Sequence, residues 1–365
     1  MGMNLLLIGC GAYQVPVIDE AHKLGAKVFA LDGDKDAIGL KNADYSEVCD
    51  IKNLGEIEEV AIRLNSKFNI SGCMTLGVEC PESVGFINDL LGLQGVGRYQ
   101  AIEMVNKISR YENLNDYGIR TPKYQVSAKY IKENWNIYPC VVKPMEGSAA
   151  AGVKYIENKF QLQDEEFDIV EEYIEGHELS TESIVLTQQL YMTYINDRNY
   201  EKKFKYKPYM IEDGFQMPST IDQTIRAKVH TTIGKIIKCF QLEKCILKCD
   251  LIVKDNIVYV IECTPRLSGG KWCSHVITPS TGVEIVNIAV RMALGLPVYP
   301  KELIPTKNTA YAQRYVFSDR PIKSHRDRGI SFECTGKTIK EAIENAQKKV
   351  NDELQQSLQT MQKAT

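Results

Sequence analysis

Histidine is scarce in this chain, with five in 365 residues and none in a paired motif, so a zinc enzyme or a Ser-His or Cys-His nucleophile is disfavoured. No apolar run approaches the roughly 20 residues of a membrane-spanning helix. Met3–Ile8 is too short for the apolar core of a signal peptide and runs straight into a glycine turn, so a cytoplasmic protein is expected, with no membrane partner. A net charge of −3 supplies no basic footprint for nucleic acid. The eleven cysteines are odd in number and scattered, and without a secretion signal they read as reduced thiols. Cys245 and Cys249 have no second pair at zinc spacing and are expected in the core. Internal repeats and low-complexity segments are also missing.

What is present is an ordinary globular composition, 44% hydrophobic and 25% charged, in a chain long enough for two or three packed units. The first hundred residues alternate strand and helix signals. Asn4–Ile8, Lys27–Leu31 and Ile70–Thr75 read as strands, and Val15–Leu24, Glu56–Asn65 and Pro81–Leu91 as helices. This order predicts an α/β unit with a parallel sheet, here assigned to residues 1–97. Gly9-Cys10-Gly11 followed by Asp32 partly matches a dinucleotide fingerprint, but Gln14 stands where the third glycine belongs, so a structural turn is the favoured reading.

Residues 99–117 read as one helix stopped by Gly118, and 98–300 as a mixed α+β unit with a smaller subdomain at about 122–180. Within that unit Tyr138–Lys143 and Phe167–Tyr173 are expected strands, Thr181–Asn196 a hairpin pair, and Gln223–Phe240 an amphipathic helix. Residues 301–365 should add a strand at Thr309–Phe317 and a helix at Thr338–Leu354, with a frayed tail beyond Leu354.

The runs Ile246–Val253 and Ile257–Cys263 are rich in β-branched residues and flank a turn-forming Lys254-Asp255-Asn256, which predicts a hairpin. A three-residue loop, Asp255-Asn256-Ile257, sets Asp250 opposite Glu262 on one face. A two-residue loop would set them on opposite faces, since one step of register inverts every side chain. Paired carboxylates in an apolar hairpin need a compensating cation, and magnesium bound to substrate phosphates fits that need. The three-residue loop is therefore expected. Arg266 follows four residues after Glu262 and leads into Ser268-Gly269-Gly270, where small residues let backbone amides approach an anion.

Two further segments point to nucleotide. Val141-Val-Lys-Pro-Met-Glu-Gly-Ser-Ala-Ala-Ala-Gly-Val153 places Lys143 at a strand end before a loop of small residues able to cover phosphates, without the Walker pattern. Ile169-Val-Glu-Glu-Tyr-Ile-Glu-Gly-His-Glu178 ends a strand at acids that could reach an amino group from Glu171 and hydroxyls from Glu178.

Lys107 in Val-Asn-Lys-Ile-Ser-Arg, Lys143, Glu171 to Glu178, and Asp250…Glu262-x-Thr264-x-Arg266 occur in an order that resembles the ATP-grasp superfamily over nearly the whole chain. The resemblance is to the branch of biotin carboxylase, carbamoyl-phosphate synthetase and the carboxylate-amine ligases that join amino acids. It implies an ATP-grasp fold behind a Rossmann-like domain. By it, Lys107 and Lys143 contact the α- and β-phosphates and Ser148–Gly152 closes over them. Glu171 meets the adenine amino group, backbone atoms of Glu172 and Ile174 the ring edge, and Glu178 the ribose. Asp250 and Glu262 ligate Mg2+, one ion or two with Glu262 bridging, and Mn2+ is an alternative. Arg266 is the catalytic residue facing the acyl phosphate, and with Ser268, Gly269 and Gly270 it lines the substrate site.

Two positions depart from the family pattern. Thr264 stands for the usual asparagine, so a second Mg2+ is expected to bind more weakly or through water. Ala149-Ala150 replace a Gly-Ser pair, which predicts slower movement of the loop. The implied activity is ATP-dependent joining of a small, amino-acid-like carboxylate to an amine through an acyl phosphate. Bicarbonate activation is the alternative reaction. A nucleotide-binding protein with reduced catalysis and an NAD enzyme using Gly9 and Gly11 are further alternatives, and the resemblance leaves a homodimer open. The basic cluster Arg198, Lys202, Lys203, Lys205 and Lys207 is either an acid-binding or a solvated loop.

Overall fold

The computed structural model describes residues 2–126, 128–317 and 321–364. Leucine-rich β1 (Asn4–Ile8) is buried along its whole length, as a strand covered on both faces must be. With β2 (Lys27–Asp32), β3 (Tyr45–Val48) and β4 (Gly72–Met74) it forms a parallel sheet in the order β3-β2-β1-β4. Helix α1 (Val15–Lys23) covers one face, and α2 (Leu54–Phe68) and α3 (Pro81–Leu91) cover the other. Helix α3 opens on a proline, whose missing N–H costs nothing in a first turn, and closes at Gly92 with φ 64°.

The helix expected over 99–117 is two, α4 (Arg98–Val105) and α5 (Lys107–Asp116). Asn106 breaks it: its backbone is extended and its side chain accepts the Ile108 and Ser109 N–H groups at 3.0 and 3.1 Å, a cap that competes with helix continuation. Lys107 thereby becomes the first residue of a helix.

Strands β5 (Tyr124–Val126), β6 (Cys140–Lys143), β7 (Lys154–Ile156) and β8 (Ile169–Glu172) make a small antiparallel sheet, order β5-β8-β6-β7. Helices α6 (Ala128–Asn134) and α7 (Lys159–Gln163) pack on it over Trp135, Val142 and Leu162. A seven-stranded sheet follows from β9 (His177–Leu186), β10 (Gln189–Arg198), β11 (Phe215–Met217), β12 (Cys245–Lys254), β13 (Ile257–Thr264), β14 (Ala310–Tyr315) and β15 (Ser331–Gly336), in the order β13-β12-β9-β10-β11-β14-β15. Helix α8 (Gln223–Cys239) covers the apolar face of β9, β12 and β13, burying Ile225, Val229 and Ile233 against Leu247, Cys249 and Leu251. After a short α9 (Thr278–Thr281), α10 (Ile285–Ala293) returns to the parallel sheet and packs beside α1. Helix α11 (Ile339–Ala364) covers β14 and β15 through Ala342 and Ala346, and the tail expected to fray beyond Leu354 continues as helix to Ala364.

All eleven cysteines are free thiols and ten are buried. Among the described residues no helix is long and apolar enough to cross a membrane.

Candidate active site at the β12–β13 hairpin

The loop of this hairpin has two residues, not the expected three. Asp255 and Asn256 both have positive φ, 50° and 62°, which is the two-residue turn matched to strand twist, and Lys254 pairs with Ile257. By that count Asp250 would face Ile261. A β-bulge intervenes between the pairs Leu251–Val260 and Asp250–Glu262, so Ile261 is the extra residue and the carboxylates face each other after all. The bulge is held from outside. The Ile261 carbonyl accepts from Arg110 at 3.2 Å and from the Tyr111 hydroxyl at 3.2 Å, both on α5.

The pairing Ser180–Asp250 and Glu182–Lys248–Thr264 across β9, β12 and β13 sets these residues on the face opposite α8. The cation that the paired carboxylates require is present in the chain itself. Lys248 Nζ lies 2.7 Å from Asp250 Oδ2 and 3.0 Å from Glu262 Oε2. Asp250 also accepts from Ser180 Oγ at 2.5 Å and lies 3.3 Å from an Arg198 nitrogen. Lys248 next to it holds the Glu262 carboxyl far below the usual carboxylate range. Thr264 Oγ1 is buried without a partner among the described residues. Among the described residues no group of three or more His, Cys, Asp or Glu is gathered as a metal site.

Lys143, at the end of β6, pairs with Glu171 of β8 at 2.5 Å, and the Tyr111 hydroxyl takes the other Glu171 oxygen at 2.9 Å. Glu171 is only 2% exposed, so both contacts are needed to keep its charge in place. Lys107 reaches across from α5 to the Met145 carbonyl at 2.7 Å. Burial, then the neighbouring charges of Arg110 and Lys143, lower its pKa, with Glu262 and Glu171 opposing. The two lysines expected at phosphate, Glu171 and Glu262 thus share one neighbourhood.

Glu172 accepts from the Lys123 N–H at 3.0 Å, and Ile174 is buried. Glu178 lies on β9 near Arg198 and Lys203, and burial raises its carboxyl to about 7. Ser148 is hydrogen-bonded by Arg326, and the Ala149 carbonyl accepts from the His325 N–H at 2.9 Å, so a distant segment straps the small-residue loop. Ala149 and Ala150 both occupy the left-handed region, φ 54° and 58°, a conformation that costs an L-residue about 1–2 kcal/mol, and Gly152 follows at 74°.

Arg266 is 7% exposed and forms an ion pair with Glu79, which stands just beyond the C-terminal end of β4. Sequence reasoning passed over Glu79, although an acid at the carboxyl end of a parallel strand is where ligands meet such sheets. It also passed over Lys248 and Tyr111, because a lysine in a strand and a tyrosine in a helix carry no motif. Ser268 donates its N–H to Glu182 at 3.1 Å and its hydroxyl to the same carboxylate. The Leu267 carbonyl accepts from Gly77 N–H at 2.9 Å, and a Cβ on Gly77 would come within 2.8 Å of Gly269 Cα. Glycine at 77 is what lets the Ser268-Gly269-Gly270 segment lie against the parallel-sheet unit.

The basic cluster is largely neutralised. Arg198 pairs with Glu212, Lys202 with Asp213 and Lys207 with Glu157, while Lys203 and Lys205 lie over the rings of Tyr173 and Tyr206. Asp32 accepts the Cys10 N–H at 2.6 Å and the Asp34 N–H at 2.9 Å, so it braces the glycine turn.

Glu182 yields a prediction about stability. It is fully buried, and desolvation raises its carboxyl to about 7 from an ordinary 4.5 in spite of the Ser268 bonds. A folded pKa above the unfolded one contributes stability that is complete below about 4.5 and lost as pH rises through about 7. Glu182→Gln carries no such charge. Urea midpoints at pH 5 and pH 8 are expected to fall more for the wild type than for the variant, and equal falls would contradict the assignment.

The family model of an ATP-grasp domain matches residues 104–270, the span from Lys107 through the Ser268-Gly269-Gly270 segment. D-alanine–D-alanine ligase of Pseudothermotoga lettingae is 25% identical over 262 residues, covering 67% of this chain and 80% of that protein. Among solved structures, phosphoribosylglycinamide synthetase from Anaerococcus prevotii superimposes with a TM-score of 0.76 at 20% identity, covering 96% of this chain and 98% of that one. L-amino acid ligase from Bacillus licheniformis gives 0.73 at 20% identity, over 86% and 80%. The matched span contains the α5, β6, β8, β12 and β13 residues described above. Residues 104–270 are thus similar to the ATP-grasp domain, and the chain shares the fold of these ligases and synthetases.

Proposed function

We propose that this protein joins a small, amino-acid-like carboxylate to an amine through an acyl phosphate. The observation that carries the reading is the convergence of Lys107, Lys143 and the facing Asp250–Glu262 pair, with Arg266 and Ser268-Gly269-Gly270 following directly after the end of β13. In this reading the polyphosphate lies over the hairpin under the Ser148–Gly152 loop, contacted by Lys107 and Lys143. The base lies against Glu171 and the backbone of Glu172 and Ile174, and the ribose against Glu178.

The residues present fit one divalent ion on the Glu262 and Thr264 side, where a buried hydroxyl lacks a partner, with Asp250 alongside. When bound, Mg2+ would neutralise charge on the β- and γ-phosphates. Glu171 keeps Lys143 positioned until phosphate replaces it. A carboxylate oxygen attacks the γ-phosphorus, the bond to the β-phosphate oxygen breaks, and ADP leaves with the electron pair. The free amine then attacks the acyl carbon, the C–N bond forms, the amine proton is lost, and phosphate departs. Arg266 donates to the oxygens that gain charge in both steps, a task of positioning and electrostatics that needs no protein nucleophile.

Glu79, opposite Arg266 at the end of β4, supports a substrate pocket between the hairpin segment and the parallel sheet. A phosphate-release screen over pairs of amino acids and other small carboxylates and amines tests the assignment. Release that requires both partners is expected. Release with bicarbonate and no amine would replace this reading with carboxylase-type activation, and nucleotide binding without release over the whole panel would replace it with a binding protein.

A further inference from the structure

We propose that Lys248 is a built-in cation of the phosphate site, standing between Asp250 and Glu262 in the place a second divalent ion would take, so that the site works with a single metal ion. The proposal rests on the reading that ATP lies over this hairpin. Its first ground is geometric. Lys248 is on β12, between β9 and β13, two residues before Asp250, so strand alternation puts both on one face, and its register partner on β13 is Thr264. The ammonium touches one oxygen of each carboxylate, at 2.7 and 3.0 Å, and a divalent ion bridging those same oxygens would meet a positive charge at contact distance.

The second ground is charge balance. Asp250, Glu262 and Glu212 form one chain of carboxylates with Lys248, Arg198 and Arg328. Arg198 spans Asp250 and Glu212, and Arg328 lies 3.4 Å from Glu212. Within these ion pairs three carboxylates meet three cations without a metal, with Glu178 beside Arg198 and with Arg110 and Arg266 beside Glu262. The third ground is the chemistry of what remains. Lys248 uses two of its three N–H donors on these carboxylates, and the third is left for a phosphate oxygen. Ser180 and Arg198 take further Asp250 positions, whereas Thr264 Oγ1, on the residue that pairs with Lys248, has no partner among the described residues. Among the described residues, the oxygens left for an ion therefore lie at Glu262 and Thr264, next to Lys248.

Counting bound Mn2+ tests this, by the paramagnetic resonance of the free ion, with the full chain saturated by a non-hydrolysable ATP analogue whose binding is followed calorimetrically. The wild type is expected to hold one Mn2+ per chain, Lys248→Met two, and Lys248→Arg one. Two ions in the wild type, or one in Lys248→Met, would overturn the proposal. A nucleotide-free arm keeps the two readings distinguishable. Thermal melting of Lys248→Met should rise with Mn2+ well beyond the rise in the wild type, because the exposed carboxylate pair then gains a cation. An equal response in both proteins would also overturn the proposal. Failure of the wild type to bind the analogue would defeat the nucleotide reading alone, leaving the melting comparison to decide whether Lys248 occupies a cation site. A Lys248→Met chain that folds only with Mn2+ present would count in favour.

Discussion

Replacement of Arg266 by alanine is expected to lower ADP and phosphate release with the cognate substrates by about 10²–10³-fold or more, the usual cost of removing a preorganised donor at developing charge. Nucleotide affinity should stay within about twofold, since no phosphate contact of the resting complex is assigned to this side chain. The guanidinium is almost wholly buried, is paired with Glu79, and is tethered through the Leu267 carbonyl at 3.1 Å. It is therefore fixed before substrate arrives. Steady-state release assays beside calorimetric nucleotide titrations check the split, and unchanged turnover would remove Arg266 from the chemistry.

Lys143→Met should damage both folding and binding, and the two losses can be separated. The methionine leaves Glu171 buried with only the Tyr111 hydroxyl, and an uncompensated buried charge of this kind costs about 3–5 kcal/mol. The double variant Lys143→Met with Glu171→Gln is expected to regain much of that stability, because a neutral amide still reaches Tyr111. It should not regain nucleotide affinity, because the phosphate contact stays absent. Urea unfolding and calorimetry on the two variants read the two effects. Full recovery of affinity in the double variant would mean that Lys143 only positions Glu171.

Much of this site was legible in sequence because its parts carry local signals. The buried run Asn4–Ile8, the Pro81 start of α3, and the order Lys107, Lys143, Glu171, Asp250, Glu262, Arg266 all carry local signals of burial, capping or charge. The hairpin shows where such reading stops. Asp250 does face Glu262, but a two-residue turn and a bulge at Ile261 bring them together, and a bulge held by Arg110 and Tyr111 from α5 leaves no local trace in the strand. Lys248 was invisible for a related reason. A lysine in a strand normally points to water, and only the neighbouring strands turn this one into the partner of two carboxylates. Three-residue strands such as β5, β7 and β11 carry too short a pattern to be read. The division at Asn106 was readable in principle, as an asparagine cap within an otherwise helical run.

The claim that a substrate carboxylate attacks the γ-phosphate is tested most directly by following oxygen. With a carboxylate substrate labelled in both oxygens with 18O and the amine it is joined to, phosphate released in the ligation should carry one labelled oxygen, because the attacking oxygen stays with phosphorus when the amine displaces it. Ligated product formed with unlabelled phosphate would contradict the acyl-phosphate account.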